Sequence, residues 1–171
     1  MQIGVAFYLP IILILFTTAF NYSPVMLGIF NGYIGVSFAL GLLILLPQML
    51  KRFKIEQIVA ICLLATCISQ LFSSIFPSQI LLWLLAIPYG CTVETAFSGM
   101  FTSFSNAADA TSQGWVMGIS VAIMAIAWAI TGFSAQLIPI LGANVIMLVG
   151  AIFLGLSAYL MKRYCSLTHM V

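Results

Sequence analysis

Charge is what this 171-residue chain has least of. It carries five Lys/Arg and three Asp/Glu, 5% of its residues, and one His. A soluble domain has about 25% charged residues, and eight charges cannot solvate the surface of a compact globule this size. A water-soluble fold is therefore excluded. Disorder is excluded for the opposite reason: 64% of the residues are hydrophobic, too many to remain solvated. A net charge of +2 offers no basic surface for phosphates, so no nucleic-acid partner is expected. The four cysteines, Cys62, Cys67, Cys91 and Cys165, show neither a secretory framework nor metal-ligand spacing. They read as small hydrophobes. No nucleophile–base pair, metal cluster or phosphate loop occurs, and His169 stands alone near the end of the chain. No enzyme activity, cofactor or metal is expected.

What the chain does have is long apolar runs. Residues 1–50 contain no charge, 57–103 contain only Glu94, and 110–161 contain none. Each block is about 50 residues long and each span needs about 20, so each block holds two helices and a turn. Turn chemistry places the breaks at Asn21-Tyr22-Ser23-Pro24, Phe76-Pro77-Ser78 and Pro139 to Gly142. The expected fold is an all-α integral membrane protein with six spans at 3–20, 24–50, 56–76, 79–103, 113–138 and 142–162, followed by a tail over 163–171. Continuous apolar runs favour helices over a barrel of alternating strands. The first run has no basic flank or small-residue cleavage site, and is read as a span, not a cleaved leader.

Lys51, Arg52 and Lys54 lie between the second and third spans, and Lys162 and Arg163 follow the sixth. Six spans put both groups on one side of the bilayer. The positive-inside rule makes that side the cytoplasm, with both termini inside. The bilayer is thus the first partner, and the expected location is a bacterial inner or plasma membrane.

Glu94 is the one ionisable residue deep in a span, in Pro88-Tyr89-Gly90-Cys91-Thr92-Val93-Glu94. A charge at the bilayer centre costs about 2.5–3.5 kcal/mol on insertion scales. A carboxylate that alternates between occluded and wet surroundings exchanges its proton, which is what a proton-coupled carrier needs. The structural alternative is a Glu hydrogen-bonded to a neighbouring helix. Pro88 removes the hydrogen bond to the Leu84 carbonyl and Gly90 loosens the same turn, which suits either a cavity-lining hinge or a packing kink. The fifth span carries small residues on one face: Gly114, Gly118, Ala122, Ala125, Ala129 and Gly132. Such faces let helices approach closely. Gly28, Gly32 and Gly35 do the same on the second span, with Asn31 among them. Asn31 can line a polar path or bond across helices. Trp128 and Met124 flank the fifth-span stripe and can meet an apolar ligand or lipid.

Three stretches carry a family resemblance. They are Tyr22-Ser23-Pro24-Val25-Met26-Leu27-Gly28-Ile29-Phe30-Asn31-Gly32, Leu50-Lys51-Arg52-Phe53-Lys54 and Ser112-Gln113-Gly114-Trp115-Val116-Met117-Gly118-Ile119-Ser120. In this order the chain resembles the C-terminal six-helix half of a major facilitator superfamily transporter, most like its drug-efflux branches. Two departures stand out: the basic loop lacks the family's fuller Gly…Asp-Arg…Gly-Arg pattern, and Gln113 stands where a basic residue is frequent. The resemblance implies two three-helix inverted repeats, secondary active transport of the antiporter kind, and a small-molecule substrate moving with protons. It also implies a second wall, supplied by a missing or separate N-terminal half or by a homodimer. Spans one, two, four and five would face the cavity, placing Glu94, Asn31 and Trp128 on cavity helices. The competing reading is a hydrophobic six-span subunit or scaffold of a larger membrane complex, with no transport of its own.

Overall fold

The computed structural model describes residues 1–109 and 111–168; His169 lies outside them. Six apolar helices long enough to cross a bilayer are present, at Gln2–Phe20, Pro24–Leu50, Ile55–Ile75, Gln79–Ala107, Gln113–Leu141 and Ala143–Ser166. The chain is thus a six-helix bundle of the multi-pass membrane type.

The hairpins form where local chemistry asks for them. Asn21 takes the left-handed conformation, φ 53°, and the Tyr22 N–H closes back on the Phe16 carbonyl at 3.1 Å, a helix end that Asn tolerates better than most residues. Ser23 and Ser78 cap the next helices, accepting from the Met26 and Leu81 N–H groups.

Three expected edges moved. Pro139 does not end the fifth span. A 3₁₀ turn at Ala135–Leu137 restarts the helix, Pro139 falls in the first turn of Ile138–Leu141, and the chain breaks at Gly142, φ 83°. A first-turn proline gives up no intrahelical bond. The fourth span runs on to Ala107, with the Thr102 and Ser103 hydroxyls bonding back to the Ser98 and Gly99 carbonyls and not forcing a turn. The sixth helix continues to Thr168, so most of the 163–171 segment read as a tail is helical. Lys162-Arg163-Tyr164-Cys165-Ser166 contains no breaker.

The third span is the inner one. It packs on the fourth and the sixth, the sixth packs on the first, the fourth on the second, and the first on the fifth. Its Thr66, Ser69, Gln70, Ser73 and Ser74 share one helical face, and all are buried. Polar groups face inward because lipid cannot satisfy them. Gln70 donates through Nε2 to the Gly4 carbonyl at 3.2 Å and the Met147 carbonyl at 2.9 Å, tying three spans together. Thr66 and Thr92 hydroxyls meet at 2.8 Å, and Tyr8 and Ser73 hydroxyls at 3.1 Å.

Close backbone approach happens at particular glycines. A Cβ at Gly90 would stand 2.6 Å from Ser37 Cβ, and one at Gly99 2.7 Å from Val59 Cγ2. Gly41 is held against the Cys91 backbone, and Gly150 against Gln70 and Gly4. Only glycine fits there.

Candidate functional site

Two helices are irregular where they meet their neighbours. The first span breaks at Phe7-Tyr8, just before Pro10, whose missing N–H leaves the Ala6 carbonyl without its helical partner. The second span widens into a π turn at Gly41–Leu45. Thr95 of the fourth span covers this turn, its hydroxyl donating to the Gly41 carbonyl at 3.1 Å and to its own Cys91 carbonyl at 2.7 Å. Breaks of both kinds recur at functional sites in membrane helices.

Beside the first break lies a cleft of about 300 Å³ between the first, second and fifth spans. Pro10 and Leu13 form one side, Asn31 and Phe38 another, and Trp128 the third. Asn31 and Trp128, distant in the chain, are thus brought to one cleft; both are exposed. A second cleft, of about 380 Å³, opens between the first, fourth and fifth spans, with Ile3, Phe101 and Ile126 among its walls.

Glu94 lines neither cleft. It stands near the middle of the fourth span, half-buried. Gly90, one turn before it, packs against Ile34 and Phe38 of the first cleft. Phe97, one turn after it, meets Phe101 of the second with tilted rings, centres 4.6 Å apart. Glu94 therefore shares a helix face with a residue packed behind the first cleft and one that lines the second. Among the described residues it has no hydrogen bond and no cation within ion-pair reach. Thr92 and Thr95 beside it are engaged elsewhere.

Pro88 sits inside an otherwise continuous helix. Thr92 donates to its carbonyl at 2.6 Å, so the turn stays closed while the Leu84 carbonyl goes without its helical donor. Gly90 is a contact point, buried against the second span. Gly114 and Gly118 are different. A Cβ at either meets nothing within 4 Å, and the same holds at Gly28, Gly32, Gly35 and Gly132. The fifth-span stripe therefore packs on no helix among the described residues.

Sequence reasoning passed over Pro10 and Gln70. Both were visible as interruptions of apolar runs. It also passed over Tyr8 and Tyr89, fully buried, with rings 4.0 Å apart, whose inward position depends on which spans pair. A donor set for a metal is absent among the described residues.

No protein-family model, no curated protein and no solved structure matches this chain.

Proposed function

We propose that this chain forms one half of a secondary-active, proton-coupled transporter of the major facilitator type, moving a small solute. The observation that carries the reading is Glu94. It is the one carboxylate deep in a span, it has no partner among the described residues, and it shares a helix face with Gly90, packed behind the first cleft, and Phe101, which lines the second. An unpaired carboxylate in a membrane span is costly, and a proton-carrying role accounts for its presence. The Asn31–Trp128 cleft offers an amide and an aromatic face to the solute, and the Pro10 and π-turn irregularities give the flanking helices places to bend.

The packing scheme supports a repeat. Exchanging spans one, two and three with four, five and six preserves the main packing partners, though the smaller fourth-on-fifth contact has no first-on-second counterpart of like size. Third-on-fourth becomes sixth-on-first, second-on-fourth becomes fifth-on-first, and third-on-sixth maps onto itself. Inverted three-helix repeats produce such a scheme. The second and fifth spans are the least buried, at 22% and 11% of their apolar windows. Their bare glycine faces suit a second half, either a separate N-terminal half or a second copy of this chain. All five cations lie at one end of the bundle, which is the cytoplasmic end by the positive-inside rule, the expected side for both termini. A bacterial inner or plasma membrane is the expected setting.

The test is transport in proteoliposomes under an imposed pH gradient. Ethidium serves as the lipophilic probe, and an internal pH dye follows protons. Wild type is expected to couple the two fluxes, while Glu94→Gln uncouples them and lowers proton-driven flux by tenfold or more, the scale of a lost acid–base group. Coupled flux that survives Glu94→Gln unchanged would remove Glu94 from the proton path. Failure of both fluxes in every assembly state, with a folded protein, favours the scaffold reading.

A further inference from the structure

A large groove lies away from both clefts, on the outer side of the third and sixth spans. It has a volume of about 670 Å³. Its walls divide by chemistry along its length. Ile61, Leu64 and Gly155 line the part within the spans, and Gln57, Lys162 and Ser166 line the part at the basic end. From Gly155 to Ser166 the groove follows the sixth helix for about 16 Å at the α-helical rise, close to the roughly 15 Å of hydrocarbon in one leaflet.

An apolar groove facing hydrocarbon fits an acyl chain, and its length matches one leaflet. Charge decides which lipid. Lys162 is exposed and, among the described residues, forms no ion pair. Lys51, Arg52, Lys54 and Arg163 share its end of the bundle, against the carboxylates of Glu56 and Asp109. Glu56 adjoins Gln57 at the groove's head, so Lys162 supplies the local attraction for a phosphate and Glu56 disfavours a bare anion without an acyl anchor. A second cleft, bearing Lys51 and Arg52, lies on the other side of Phe53, extending the positive rim. We propose that the groove between the third and sixth spans is a binding site for one anionic phospholipid of the basic-side leaflet. One acyl chain runs along Ile61, Leu64 and Gly155, and the phosphate sits on Lys162 with the Gln57 amide N–H as its hydrogen-bonding neighbour; the Ser166 hydroxyl beside it donates to the Arg163 carbonyl.

The experiment is native mass spectrometry of the whole chain, delipidated in neutral detergent and titrated with phosphatidylglycerol, phosphatidylcholine or inorganic phosphate. Lys162→Ala removes the headgroup contact at an exposed position, Ala60→Phe narrows the groove, and Lys51→Ala removes a cation of the same rim outside the groove. The expected result is preferential retention of phosphatidylglycerol, weakened about fivefold by Lys162→Ala, which corresponds to about 1 kcal/mol per surface cation. Ala60→Phe should weaken both lipids, Lys51→Ala should change little, and inorganic phosphate should not compete. Equal binding of the two lipids, an unchanged Lys162→Ala, an equal loss in Lys51→Ala, or full competition by phosphate would each overturn the proposal.

Discussion

The third and fifth spans are both long apolar helices, yet half of the third span's apolar window is buried and only 11% of the fifth's. The third turns a row of hydroxyls and an amide inward, bonding to backbone carbonyls of the first and sixth spans and to a hydroxyl of the fourth. The fifth turns a row of small residues toward empty space. Hydropathy alone cannot tell them apart, because lipid and protein interior are equally apolar. What separates them is where polar groups and close-contact glycines fall. The third span stabilises the bundle, and the fifth presents a surface to something outside it.

Four substitutions bear on that contrast. Gly90→Val should be the most damaging, because its Cβ would meet Ser37 Cβ at 2.6 Å. Overpacking of this kind costs about 1–3 kcal/mol, and a clash with a Cβ, which cannot rotate away from its backbone, belongs at the upper end, readable by denaturant unfolding in detergent. Gln70→Leu comes next. It strips donors from the Gly4 and Met147 carbonyls at a cost of about 1–2 kcal/mol. The third is Thr66→Val, which breaks one hydroxyl pair between the third and fourth spans and should cost about 0.6 kcal/mol, the usual size of such bonds in membranes. Gly118→Val should be smallest, within about 0.5 kcal/mol for the isolated chain. If Gly118→Val instead destabilises the isolated chain as much as Gly90→Val, the contrast between the spans collapses. If it leaves unfolding unchanged but lowers dimerisation measured by cross-linking, the contrast sharpens into one between a folding surface and an association surface.

The breaks between helices were legible because Asn21, Ser23, Pro24, Ser78 and Gly142 act through their own backbone chemistry. Helix continuation past Ser103 and Pro139 was not, since it depends on hydroxyls bonding back along the helix and on a 3₁₀ turn resetting the register. The small-residue stripes illustrate a deeper limit. Gly90 and Gly118 look alike in sequence, and only the pairing of helices makes one a contact and the other open. Glu94 was legible as the lone carboxylate in a span. That Asn31 and Trp128 share a cleft was not, because their meeting is set by the packing of the first span against both the second and the fifth.

The π turn at Gly41–Leu45 carries one residue more than an α turn, and one residue is about 100° of helix rotation. It therefore acts as an angular offset between the two ends of the second span. It fixes the azimuth of Asn31 relative to Lys51, and the Thr95 hydroxyl on the Gly41 carbonyl is the pin that holds it. That offset sets the Asn31 face about a quarter turn away from where an unbroken α-helix would put it relative to the basic end.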